Sequence, residues 1–363
     1  MERRATGRPL LAAVAAMFLA SSCGQSDAIQ LRVELGTRSV SKLPFVIAAD
    51  QGLFEKYGLD VTLRMPGPQF EGGRRTWSGG RVDRYWRRFL RRFDESAVWH
   101  PDIYVDGLVP SLIRRTTSAN QPHRIAIGAT DCVLRAYIMS RPDIESLDEL
   151  KGMRIGISAG PETTTGFGAL TLAERMGWDP VQDISIIRYG RDVEALRDGR
   201  VDAIVASEIR YAMAHQLGFR ALADTEDWGV AMAGNSVLIE AGWLDDPVNR
   251  EAARRFLQAT IEGLALFHAD RALAIDVLRR WNGIDDAEIS AIVYEEGLSL
   301  EQIPFPCYDG IANAFALYDS NELRKYVPRD FYDDSLMKEL DESGFIASIL
   351  QAVSERTVRQ TGE

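Results

Sequence analysis

Between residues 146 and 223 short apolar runs of period two alternate with segments of three-four apolar spacing, and a glycine closes each helical segment. A chain written this way has one economical solution, a mainly parallel sheet covered by helices. Ser146 and Glu149 fit a capping box ahead of Leu147 and Leu150. Residues 154–158 then read as a strand and 165–176 as a helix stopping at Gly177. Strand 184–187, helix 193–197 stopping at Gly199, strand 201–206, helix 209–217 stopping at Gly218 and strand 219–223 complete an α/β lobe.

A second unit precedes it. Leu31, Val33 and Leu35 alternate with Arg32 and Glu34, and Val61, Leu63 and Met65 alternate with Asp60, Thr62 and Arg64. Between them, Ser41 is placed to cap a helix with Pro44 in its first turn, extended by Gly52-Leu53-Phe54 and stopped at Gly58. After Asn235 the pattern is helical, over 250–268, 271–281, 286–297 and 310–318. A helix-rich tail following two sheet units is expected to pack back on the first. The chain then crosses between lobes near 131–138 and 229–237, giving lobe one as 31–132 with 237–363 and lobe two as 133–236.

The first thirty residues address compartment rather than fold. Arg3, Arg4 and Arg8 form a basic region, followed by an apolar run over 9–20 that is short for a membrane span. Leu19-Ala20-Ser21-Ser22-Cys23 resembles a bacterial lipoprotein lipobox, with Ala20 where leucine is usual. The resemblance implies a signal peptide over 1–22, lipidation of Cys23, a tether over 23–30, and a protein on the outer side of a membrane. Loss of 1–22 removes three Arg and one Glu, carrying the formal charge from −11 to −13. That balance speaks against nucleic acid as a partner. Cys132 and Cys307 remain; an oxidising compartment would let them pair, and their separation alone decides nothing.

Residues 43–60, LPFVIAADQGLFEKYGLD, resemble the opening motif of the sulfonate/nitrate/taurine-type substrate-binding proteins of ABC importers. Residues 144–158 (IESLDELKGMRIGIS), 196–206 (LRDGRVDAIVA) and 329–340 (RDFYDDSLMKEL) resemble later stretches of that family in order and spacing. The resemblance implies an α/β, two-lobed type II periplasmic-binding-protein fold, with the helix-rich C-terminal segment on lobe one. It also implies a monomer that closes on a small-molecule ligand and delivers it to an ABC permease and ATPase, without a cofactor. Residues 66–101 are longer and more basic than the family pattern.

A solute taken from water must recover its hydrogen bonds from the protein, and free N–H groups at helix starts are ready donors. Two loops offer them: 37–41, with Arg38, Ser39 and Ser41, and 160–166, with Thr163, Thr164, Thr165 and Gly166. In the family these loops face each other, which assigns them to ligand contact. Each hydroxyl can equally serve only as a cap. Strand ends supply a second set: Asp106, Asp131, Ser207, Glu208 and Asn235. Either aspartate could instead pair with a neighbouring arginine. If both line the cleft, a ligand bearing an amine or amidine-like nitrogen fits better than a simple sulfonate.

Residues 81–93, RVDRYWRRFLRRF, set aromatic and arginine side chains on opposite helical faces. This suits either an anionic membrane surface or a lobe-one helix burying its aromatic face. His100, His123, His215 and His268 lack metal-ligand spacing, and no catalytic residue or metal ligand is assigned. Two other functions remain open. One is an enzyme on the same fold, either a lyase or one resembling the thiamine-pyrimidine synthase, whose cysteine-rich motif is absent. The other is a sensory receptor presenting its closed lobes to a membrane kinase.

Overall fold

The computed structural model describes residues 28–37, 39–64, 100–117, 122–282, 284, 286–318 and 321–361. The signal-peptide and Cys23 lipidation readings, Arg38 and the basic aromatic segment 81–93 lie outside the described residues.

The chain opens with β1 (Ile29–Leu35), a single 3-10 turn over Val40–Lys42, α1 (Leu43–Asp50), α2 (Leu53–Lys56) and β2 (Leu59–Arg64). β1 begins inside the segment expected to be tether. Its alternation buries Leu31, Val33 and Leu35 while Arg32 is exposed. β2 lies parallel to β1, with Leu31 opposite Val61 and Val33 opposite Leu63. Ser41 does not cap α1: it lies within the 3-10 turn, buried. Gly52, at φ 66°, is where the chain breaks between α1 and α2.

β3 (Ile103–Gly107), α3 (Leu108–Thr117) and β4 (Arg124–Ala129) follow, and the chain then crosses to the second lobe. There it forms β5 (Tyr137–Ser140), β6 (Arg154–Ile157), α4 (Thr164–Met176), β7 (Ser185–Arg188), α5 (Asp192–Arg197), β8 (Ala203–Ala206), α6 (Ile209–Gln216) and β9 (Arg220–Asp224). The three glycine stops are as expected, with Gly177, Gly199 and Gly218 at φ 66°, 69° and 79°. Ser146 and Glu149 do bond, at 2.9 Å, but ahead of a single 3-10 turn over Asp148–Leu150 rather than an α-helix.

The chain returns as β10 (Asn235–Glu240) and ends in α7 (Pro247–Ala269), α8 (Arg271–Asn282), α9 (Ala287–Gly297), α10 (Tyr308–Leu317), α11 (Ser335–Glu342) and α12 (Phe345–Thr361). The two sheets have matching plans. The first runs β2-β1-β3-β10-β4 and the second β7-β6-β8-β5-β9. In each, four strands run in one direction, and the strand that has just arrived from the other lobe inserts antiparallel between two of them.

The tail completes the first lobe. Phe256 of α7 stacks between Phe45 of α1 and Phe54 of α2, with ring centroids 5.9 and 5.4 Å away. Gly263 allows the two helices to meet closely: a Cβ there would stand 2.3 Å from the Pro44 carbonyl oxygen. Further on, Tyr332 forms a parallel bridge to Ala126 at the β4 edge. Lobe two has its own core, including Ile138, Ile155, Ile157, Leu172 and Val205.

The two crossing segments run side by side. Leu134 N–H donates to the Val230 carbonyl and Met232 N–H to the Cys132 carbonyl, both at 2.9 Å. Where they leave lobe one, Cys132 is joined by a disulfide to Cys307, just ahead of α10. This link closes a loop with a sequence separation of 175. Replacing both cysteines by serine should lower the unfolding free energy by about 2–4 kcal/mol, read from urea midpoints at constant slope. Peptide mapping without reductant should recover the two segments as one cross-linked species.

Candidate binding site between the lobes

The first-lobe wall is built where β1 and β3 end. A Cβ on Gly36 would lie 2.3 Å from the Asp106 carboxyl group, so only glycine lets the β1 end sit against it. Immediately beyond, residues 39–49 contain a single charge, Lys42, and its side chain is 3% exposed. The ammonium donates to Asn235 Oδ1 and stands 3.6 Å from Asp106. Asn235 Nδ2 in turn donates to the Ser41 carbonyl at 2.9 Å and to Thr130 Oγ1 at 2.6 Å. Thr130 Oγ1 passes its own proton to the Ser41 carbonyl at 3.1 Å. Burial lowers the Lys42 pKa, and Asp106, Glu208 and Asp131 act against that shift.

The crossing adds a second ion pair. Arg135 grips Asp131 through Nε at 3.2 Å and Nη2 at 2.8 Å, and donates its Nη1 to the Glu296 carbonyl of α9 at 2.8 Å. Burial opposes the Arg135 charge, but Asp131, together with Glu208 and Glu296, offsets it and the pKa is raised.

Lobe two reaches across with Glu208, between β8 and α6. Its backbone lies at φ 53°, the only positive value of a non-glycine residue among those described. Its Oε2 accepts from Val40 N–H at 3.0 Å, at the start of the lobe-one 3-10 turn. Its own N–H donates to Glu296 Oε2 at 2.6 Å. Burial raises the Glu208 pKa against the pull of Arg135. Glu296 is pushed up to about 8, first by burial and then by the Glu208 charge, and its Oε1 is buried without a hydrogen-bond partner.

Of the residues singled out from sequence, Ser39, Ser41, Asp106, Asp131, Glu208 and Asn235 belong to this junction. Ser39 joins through its hydroxyl, 2.7 Å from that of Ser41. Ser207 adjoins Glu208 and accepts the Arg210 N–H on its carbonyl, at 3.1 Å. The loop ahead of α4 is knitted to itself. Thr163 Oγ1 donates to the Gly160 carbonyl at 2.8 Å, and Thr165 Oγ1 accepts from Ser158 N–H at 3.2 Å. A Cβ on Gly166 would meet Pro161 at 2.4 Å, so the loop folds tightly there, just after Thr164 and Thr165 open the helix. This loop touches lobe one through Tyr318, whose hydroxyl donates to the Pro161 carbonyl at 2.6 Å. Among the described hydrogen bonds, the group opposite the Ser39–Lys42 turn is Glu208, not a threonine.

Lys42, Thr130, Arg135 and Glu296 were not anticipated. Lys42 alone carried a signal, as the one charge in an otherwise apolar and hydroxyl run. Tyr137 and Tyr211, whose rings stack 3.6 Å apart, also act electrostatically with Glu296. Both described cysteines are in the disulfide, and no group of three or more metal-ligating side chains is found among the described residues.

Residues 133–272 match the family model described as NMT1/THI5 like. No curated protein sequence matches. The chain shares its fold with the periplasmic aliphatic sulphonate binding protein SsuA from Escherichia coli: TM-score 0.62, 15% identity, 84% of this chain and 98% of that one. It shares it also with the periplasmic nitrate-binding protein NrtA from Synechocystis PCC 6803: TM-score 0.61, 13% identity, 87% and 89%. The desulfurization enzyme DszB has the same fold, with TM-score 0.56, 13% identity and coverage of 86% and 98%. The periplasmic-binding-protein architecture expected from residues 43–60 is therefore the observed one.

Glu296 makes this junction sensitive to pH. Its folded pKa lies above the ordinary carboxylate value, so the stability it contributes is complete below that ordinary value and is lost as pH rises through about 8. Glu251, held down to about 2 chiefly by its hydrogen bond from Arg254, acts in the opposite sense but in a lower window. Between pH 5 and 9 the wild-type unfolding free energy should fall by a few kcal/mol. Glu296→Gln, permanently neutral, should flatten that slope. A wild-type profile as flat as the variant's would show that Glu296 ionises normally.

Proposed function

We propose that this chain is the solute-binding component of an ABC-type importer. It is exported and anchored through lipid on Cys23, and it works as a monomer that closes its lobes on a small molecule and presents it to a permease and ATPase. The observation that carries the reading is the meeting of polar groups from both lobes beside a two-stranded crossing. The Ser39–Lys42 turn and Asn235 come from one side, and Glu208 from the other. Such an arrangement can strip water from a solute and replace its hydrogen bonds while the crossing acts as a hinge. In this reading Arg38, Ser39, Ser41, Asp106, Asp131, Thr163, Thr164, Thr165, Gly166, Ser207, Glu208 and Asn235 surround the ligand. The names of SsuA and NrtA support it by describing solute binders on this fold.

DszB favours a second reading, an enzyme on the same scaffold. Thiol chemistry would find no free cysteine among the described residues.

The test is a thermal-shift screen of the chain lacking residues 1–23, with sulfonates, nitrate, pyrimidines, polyamines and aromatic acids. A solute that binds only the folded form stabilises it by mass action, by about 2.7 kcal/mol at one hundred times its dissociation constant, and so raises the midpoint. The expected result is at least one such solute, a smaller radius of gyration by X-ray scattering in its presence, and its recovery unchanged. Chemical conversion of the solute would replace this reading with the enzymatic one.

A further inference from the structure

The backbone donor best placed to greet an anion at the lobe-one turn, Val40 N–H, is already engaged by a carboxylate of the protein itself. Glu208 reaches it from the other lobe at 3.0 Å. The cation beneath, Lys42, is equally committed, to Asn235 and Asp106. A sulfonate or nitrate entering here would find its donors taken and a fixed negative charge in its place. We propose that Glu208 is a specificity-determining residue, a tethered carboxylate that rejects anionic solutes and commits the cleft to solutes carrying a positively charged nitrogen: alkylammonium, guanidinium or amidinium. The proposal rests on the solute-binding reading above and names the ligand class for it.

The charge inventory points the same way. Among the described residues, two cations, Lys42 and Arg135, face four carboxylates at the junction: Asp106, Asp131, Glu208 and Glu296. Lys42 pairs with Asp106 and Arg135 with Asp131. Among the described residues, Glu208 and Glu296 take hydrogen bonds from backbone amides and no ion pair, with Arg135 acting on them only at a distance. Independently of that count, Glu296 Oε1 is buried with no hydrogen-bond partner, an acceptor that a ligand N–H would satisfy. Burial and the neighbouring Glu208 charge push Glu296 up to about 8, so at pH 7 it is Glu296 that holds a proton. A cationic solute would supply the missing charge. Tyr137 and Tyr211, stacked at 3.6 Å and electrostatically coupled to Glu296, add the aromatic faces on which an organic cation gains further energy. The left-handed backbone of Glu208 fits this role. A strained conformation persists only where its surroundings fix it, and here both its side chain and its N–H are bonded to the opposite lobe.

Titration calorimetry on the chain lacking residues 1–23, at pH 7, tests this with agmatine, putrescine, benzamidine, ethanesulfonate and sodium nitrate. Wild type should bind at least one of the three cations and neither anion. Cation binding should release protons, seen as an enthalpy that differs between Tris and phosphate buffers, because the solute draws the Glu296 carboxyl into its ionised form. Glu208→Gln, nearly the same size, should weaken the cation at least tenfold while keeping its thermal midpoint. Should that variant fold poorly, the buffer dependence in wild type still decides. Binding of ethanesulfonate or nitrate by wild type overturns the proposal while leaving solute binding intact. So does a cation affinity indifferent to Glu208→Gln, or a solute from the wider screen that is neutral or anionic. If nothing in the wider screen binds either, the solute-binding reading itself fails and this one with it.

Discussion

An ammonium group buried to 3% exposure is tolerable only if its hydrogen bonds and charge are answered on the spot, and the way Lys42 is answered organises the molecule. Asn235 accepts from it on one side and, through its amide nitrogen, ties down the Ser41 carbonyl and Thr130 on the other. Thr130 sits at the end of β4, where the chain departs for lobe two, and Asn235 begins β10, where it returns. One lysine thus pins the turn before α1 to both crossings. The aliphatic core beneath sets the height of that turn. The Lys42–Asn235–Thr130 contacts set its position relative to the hinge.

This explains which parts of the chain were legible in advance. Strands and helices follow from periodicity because each element's burial is a local property. β1 buries every second residue, and three helices stop where a glycine can take positive φ. The tail's place on lobe one was also readable, since two sheet units leave apolar helices nowhere else to go. The junction was only half readable. Ser41 looks like a cap in sequence, yet its backbone carbonyl, not its hydroxyl, carries the connections to Asn235 and Thr130. Asp131 lies at a strand end as a ligand group would, but Arg135, four residues on, takes both its oxygens. Glu296 belongs to an ordinary amphipathic helix until folding brings it to the Glu208 amide, 88 residues away in sequence. Nothing in local pattern encodes a contact whose partners come from different lobes.

The matched plan of the two sheets has a mechanical consequence. Each lobe is closed by a strand that arrives from the other, so neither sheet is complete without a crossing, and the crossings are the stiff part of the molecule rather than a loose linker. The disulfide reinforces the same place from the lobe-one side by fastening Cys132 to the segment before α10. In the proposed solute-binding reading, motion of the lobes would be rotation about these two hydrogen-bonded segments.

What opposes such rotation is modest in kind. Across the interface lie Glu208 on Val40 and Glu296, Arg135 on the Glu296 carbonyl, Gln216 on Glu288 and Tyr318 on Pro161. Each of these polar contacts exchanges protein partners for water on opening at a net cost of about 1 kcal/mol, with somewhat more for those to charged groups. Apolar contacts join them: Ile209 enters the lobe-one core, and Phe167 meets Tyr318 with ring centroids 6.1 Å apart. The carboxyl pair differs, because Glu208 and Glu296 recover full hydration and ordinary acidity only when the lobes separate. Their burial stores an electrostatic cost in the closed form. On the proposed reading, a solute that neutralises it would gain affinity from a penalty the protein already carries, and closure would depend on the charge that the solute brings.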